Sequence, residues 1–186
     1  TLFRSLSELM ENPRDVVRLF DVAMSIEPDL RGEVHLADLI GLAALMTKAA
    51  PVFALLRRRP QAFVGRRPGT RSMFEKAEEV IKSHTDDREA AIAESSNPRA
   101  VGELVHCLFP KTAKADDEFT FDRVVFTEGH LGHPDRLSVA LQLSTGLGDV
   151  SLVKVRRFLF HPAEREGIVA GLDEGSCAPF LDCLGS

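Results

Sequence analysis

The chain contains no tryptophan and no tyrosine. Phenylalanine, at 12 residues, supplies the aromatic carbon, so a core has to be built from Leu, Val, Ala and Phe. Cysteine is scarce. Cys107, Cys177 and Cys183 are too few and too scattered for a disulfide framework, which makes the reducing cytoplasm the simplest home. No apolar run is long enough to span a bilayer. The longest, Val34 to Met46, carries His35 and Asp38 and reads as a buried helix. No secretory signal is visible, because Arg4 and Glu8 interrupt the first residues. A net charge of −5 and a pI near 5.7 provide no bulk attraction for nucleic acid.

Motifs that carry chemistry are missing too. There is no GxxxxGK[ST] loop: Gly129, Gly132, Gly146 and Gly148 have no Lys-Ser or Lys-Thr beside them. No strand followed by an acidic pair suggests a Mg²⁺ site. The chain alone is therefore expected to bind no nucleotide and to be catalytically silent. A GxSxG elbow is absent, and Cys107 falls in an apolar stripe, where a buried, inert thiol is expected. The "HLGH" run places His130 and His133 three apart, and His106 adjoins Cys107. Zinc sites need a second closely spaced pair, so these read as unrelated polar and core residues, and no metal is expected.

What is present is helical periodicity. The 186 residues, 44% of them apolar, suffice for one domain or two small helical blocks. Positions 2 to 10 put Phe3, Leu6, Leu9 and Met10 on one side of a helix. Asn12 caps a second, with Pro13 at its first position. Val16, Phe20 and Ala23 recur along it, flanked by Val17 and Met24, and "EPDLRGE" is expected to break it at Pro28 and Gly32. Leu36 to Lys48, apolar nearly all round, should be central. The next segment restarts at Pro51 and stops at Pro60.

The stretch "GRRPGTRS" reads as a linker or exposed loop, dividing a helical block of residues 1–65 from a C-terminal helical block of 66–186, with one continuous domain sharing a single core as the alternative. Phe74 to His84 and Arg88 to Glu94 read as two polar helices. Asn97 and Pro98 repeat the start signal before a stripe of Val101, Leu104, Val105 and Leu108. Residues 112–135 are the least periodic, and "EFTFDRVVF" alternates enough for a small β element near Phe119 to Phe126. Four more helical patterns follow. The fold class expected is mainly α, an antiparallel, bundle-like helical array with at most that small β element.

Charge is unevenly placed. Arg57, Arg58, Arg59, Arg66, Arg67 and Arg71 fall within a stretch free of acid, and the segment after it carries Glu75, Glu78, Glu79, Asp86, Asp87, Glu89 and Glu94. One reading is a docking surface for phosphate or an acidic partner. The other, which the sequence favours, is arginines near a helix C-terminus, favoured by the dipole and paired with the acidic segment.

In "ENPRDVVRLF", Arg14 and Arg18 lie four apart on one helix face, where Asp21 is placed to pair with Arg18. The run "NPRDVVRLFD", followed by "GEVHLADLIGLAALMTKAAPVFALLRRRPQAF", resembles the C-terminal part of the KAP family of P-loop NTPases. The later "LVHCLFP" and "RLSVALQLSTGLGDVSLVKV" look like that family's downstream helical region. The chain begins without Met, already inside a helical pattern, and is expected to be a fragment of something longer.

The resemblance implies that the Walker motifs lie upstream, with ATP and Mg²⁺ as cofactors of the parent protein. It implies that residues 1 to about 30 are part of a lid over the nucleotide core. Arg14, with Arg18 second to it, would then be a phosphate sensor. The chain would be a regulatory or coupling region whose partners are the upstream NTPase core and a further protein. The parent protein would be cytoplasmic or membrane-associated, with phage defence among its settings. Two alternatives stand beside this: a helical protein-interaction module unrelated to ATP, and a nucleic-acid-binding module using Arg57 to Arg71.

Overall fold

The computed structural model describes residues 2–64, 77–112, 128–143 and 150–185. The fold is mainly α, and no strand occurs among the described residues. Helix α1 is Leu2–Leu9, with Leu6 and Leu9 buried. Phe3 was expected on that inner side. It is instead 79% exposed, because Leu2, Leu6 and Leu9 already form the inward stripe.

Helix α2 is Pro13–Leu30 and runs through Pro28. The expected break there does not occur. A proline in the last turn forgoes one hydrogen bond close to where the ladder ends anyway. The actual stop is a type II turn. Arg31 has φ −59° and ψ 120°, Gly32 has φ +81°, and the Glu33 N–H donates to the Leu30 carbonyl at 3.0 Å. Gly32 suits the position twice over, because a Cβ there would lie 2.8 Å from Val153 Cγ2.

Helices α3 (Leu36–Lys48) and α4 (Ala50–Arg58) are bent 114° from one another at Ala49. Lys48, at the end of α3, pairs with Asp15, at the start of α2, at 2.8 Å, which makes α2 and α3 antiparallel. A short α5 (Gln61–Val64) precedes α6 (Ala77–Ala93). This α6 replaces the two polar helices expected. Asp86 and Asp87 are weak helix formers, but without Gly or Pro between Ala77 and Ala93 the helix continues across them. Helix α7 is Pro98–Leu108, with Ala100, Val101, Leu104, Val105 and Leu108 buried. Asn97 Oδ1 accepts the Ala100 N–H, and its Nδ2 donates to the carbonyl of Glu8, fixing the start of α7 to the end of α1.

The remaining helices are α8 (Pro134–Gln142), α9 (Leu152–Phe160), α10 (Arg165–Ala170) and α11 (Glu174–Gly185). One apolar core runs from Leu6 to Ala140 and draws on α1 through α8. A smaller cluster gathers Val150, Val155 and Phe180 of the C-terminal helices, with Phe158, Ile168 and Leu172 against them. The expected linker at "GRRPGTRS" and the expected β element near Phe119 to Phe126 lie outside the described residues.

Candidate functional site

The start of α2 is a reciprocal cap. Asn12 Oδ1 accepts the Asp15 N–H at 3.1 Å, while Asp15 Oδ2 accepts from Asn12 Nδ2 at 3.0 Å and from the Glu11 N–H at 3.2 Å. The same carboxylate takes Lys48 Nζ. That hydrogen bond to Lys48 holds the Asp15 carboxyl below the usual carboxylate range, against the opposing effect of burial. The first turn of α2 is thus fixed from both sides, and Arg14 sits on it.

The inward face of α2 is Leu19, Ala23, Ile26 and Leu30. Val16 and Phe20 were expected in that stripe, but the helix has turned them out. Val17 is 60%, Phe20 50% and Met24 65% exposed, spaced as one row along the outer face. Beside that row, at the same pitch, run Arg14, Arg18 and Asp21, all exposed. Arg14 and Arg18 make no hydrogen bond or ion pair among the described residues, and Asp21 does not pair with Arg18. The outer face of α2 therefore presents two guanidinium groups alongside a continuous apolar row.

The basic stretch divides differently. Arg57 and Arg58 occupy the exposed last turn of α4, where cations suit the helix dipole. Arg59 pairs with Asp87 of the acidic segment. Arg88, on the same helix as Asp87, donates to the Ala62 carbonyl, and burial pushes its guanidinium below the usual range. Arg66, Arg67 and Arg71 lie outside the described residues.

Two further constellations join distant segments. Glu33, buried just after the Gly32 turn, reaches the N-terminus of α9. Its Oε2 accepts the Leu152 N–H at 2.7 Å and Arg136 Nη1 at 3.1 Å, and its Oε1 accepts the Ser151 hydroxyl. Arg136 is fully buried and also donates Nη2 to the Val150 carbonyl at 2.6 Å. This hub ties α3's approach, α8 and α9 together.

The second lies at the N-terminus of α3. Asp38, in the first turn, accepts the Leu131 N–H at 2.8 Å and faces His130 Nδ1 at 3.1 Å, both through Oδ2. Its other oxygen faces His35 Nδ1 at 3.9 Å. The sequence pairs His130 with His133 by spacing. In the structure His133 instead caps α8, its Nδ1 accepting the Asp135 N–H, and His130 goes to His35 and Asp38. The only local signal for this group is the His-x-x-Asp spacing of 35 and 38, since His130 is 92 residues beyond Asp38.

Cys107 is exposed, not buried as expected. It lies off the centre of the stripe of Val101, Leu104, Val105 and Leu108 by about a third of a turn. His106, next to it, faces the Thr112 hydroxyl at 2.9 Å. Among the described residues no single helix is long and apolar enough to cross a membrane; α3 and α4 pass that test only together, across their 114° bend. No protein-family model matches the chain, and neither a curated protein nor a solved structure shows significant similarity to it.

Proposed function

We propose that this chain is the helical coupling region of a KAP-like P-loop ATPase, docking through the outer face of α2 on the nucleotide core of the same protein. The observation that carries the reading is that face: Arg14 and Arg18 without partners among the described residues, beside the exposed row of Val17, Phe20 and Met24. An apolar row of this kind gains from being covered, by up to about 1.5–3 kcal/mol for each side chain fully buried. Covering it would carry the neighbouring arginines into a water-poor interface, where a cation stabilises a transferring phosphoryl group far better than in water.

ATP and Mg²⁺ would be held by the core, since the chain has no phosphate-cradling loop of its own. Two guanidinium groups on one fixed face fit contact with a terminal phosphate and nothing more. What this chain supplies is position. The reciprocal Asn12–Asp15 cap and the Lys48–Asp15 pair hold the turn that carries Arg14, so its backbone needs no ordering when the face closes.

The test is ATP turnover by the natural protein. Arg14→Ala should lower turnover tenfold or more, which needs only about 1.4 kcal/mol of lost transition-state stabilisation. Thermal stability should not change, because Arg14 is exposed. Phe20→Glu should lower turnover as well, by opening the interface. Wild-type turnover and ATP affinity in both variants would overturn the proposal. If Phe20→Glu then abolished capture of another protein, the chain would be an interaction module unrelated to ATP.

A further inference from the structure

We propose that His35, Asp38 and His130 form a binding site for a divalent transition-metal ion of the zinc type. One donor atom from each residue lies within 4.8 Å of the other two. His130 Nδ1 lies 3.1 Å from Asp38 Oδ2, close to the roughly 3.3 Å edge of a tetrahedron with bonds of about 2.0–2.1 Å, and His35 Nδ1 lies 3.9 Å from the carboxylate's other oxygen. The imidazoles lie side by side, ring centroids 4.5 Å apart and planes tilted by 32°, so both present a nitrogen to the same carboxylate.

The backbone builds the site in advance. The His35 N–H donates to the Gly129 carbonyl at 2.8 Å, and the Leu131 N–H donates to Asp38, so the loop carrying His130 is clamped to α3 on both sides of that histidine. Gly129 is needed at the clamp: it has φ +80°, and a Cβ there would lie 2.9 Å from the Glu33 carbonyl oxygen. Asp38 is buried and fixed, and His130 is partly buried. His35 is the adjustable member, its side chain 44% exposed.

His130 has a second feature of a metal ligand. Its Nε2 lies 3.1 Å from Glu128 Oε2. A carboxylate on the far nitrogen fixes the ring's orientation and would accept that nitrogen's proton once Nδ1 binds an ion. Two imidazoles and one carboxylate suit Zn²⁺, Co²⁺ or Ni²⁺, whereas Ca²⁺ and Mg²⁺ prefer oxygen donors throughout. Three protein ligands leave at least one position to water. The bound ion would link α3 to the loop before α8 across 92 residues of sequence, and so would act as a clip. This inference is independent of the ATPase reading.

The experiment uses the chain without a histidine tag, stripped with a chelator and titrated with ZnCl₂ by calorimetry, alongside thermal melts. One ion per chain and a Tm that rises with zinc are expected. His35→Ala removes an exposed side chain, should fold normally, and should weaken binding at least tenfold and erase the Tm response. His130→Ala should do the same, and Glu128→Ala should weaken binding about tenfold or more through the lost outer hydrogen bond. Replacing Cys107, Cys177 and Cys183 together by Ser should leave zinc binding unchanged. Absence of saturable binding by the wild-type chain, unaltered binding by folded His35→Ala, or loss of binding in the cysteine-free chain would each overturn the proposal.

Discussion

Glu33→Ala tests the hub that joins the C-terminal helices to the rest. The change removes the acceptor of the Leu152 N–H and the Ser151 hydroxyl at the start of α9, and it strands Arg136, which has no exposed surface. Breaking a buried, hydrogen-bonded pair from one side costs about 3–5 kcal/mol, because the remaining charge stays buried. Against a typical total of about 5–15 kcal/mol, that is a large share. With a urea slope of about 2 kcal/mol per molar, the midpoint should fall by roughly 1.5–2.5 M. The assay is urea unfolding followed by far-UV circular dichroism. Glu33→Gln keeps an acceptor for the Leu152 N–H while removing the charge, so its midpoint should fall between wild type and Glu33→Ala. The double variant Glu33→Ala/Arg136→Met should regain part of the loss, because no buried charge is then left alone. A Glu33→Ala midpoint within about 0.5 M of wild type, or a double variant as unstable as the sum of its parts, would refute the reasoning.

Two more predictions concern the first helices. Asp15 is held below the usual carboxylate range by Lys48, so its contribution to stability is fully present above its unfolded pKa and is lost as pH falls through the lower, folded one. Urea midpoints followed from about pH 6 to about pH 2 should therefore hold above the ordinary carboxylate range and fall as pH drops through it towards the lower, folded pKa, and Asp15→Asn should remove that part of the acid limb. Gly32→Ala places a side chain at φ +81° with its Cβ 2.8 Å from Val153 Cγ2, and should cost roughly 1–2 kcal/mol in the same unfolding assay; a neutral result would mean the turn relaxes freely.

Local signals in the sequence were sufficient for the helix starts at Asn12-Pro13 and Asn97-Pro98, for the span of α3 and for the buried stripe of α7. Caps act over three residues and apolar periodicity over one or two turns, so neither needs the rest of the chain. The orientation of α2 was a different matter. It carries apolar residues on two sides, Val17, Phe20 and Met24 on one and Leu19, Ala23, Ile26 and Leu30 on the other. Periodicity permits either side to face inward, and packing against α3 buries the second, leaving the first beside Arg14 and Arg18. The exposure of Cys107 follows from the same kind of choice, about a third of a turn off the centre of the buried stripe of α7.

The sequence by itself determined that the chain is helical, where most helices begin, and that no phosphate loop is present. Only the tertiary structure decided that Glu33 meets Arg136 across 103 residues and that Asp38 meets His130 across 92. No capping rule or hydrophobic period reaches that far. Such pairs form because an apolar core from Leu6 to Ala140 brings the segments together, and polar groups buried by that core must then find partners.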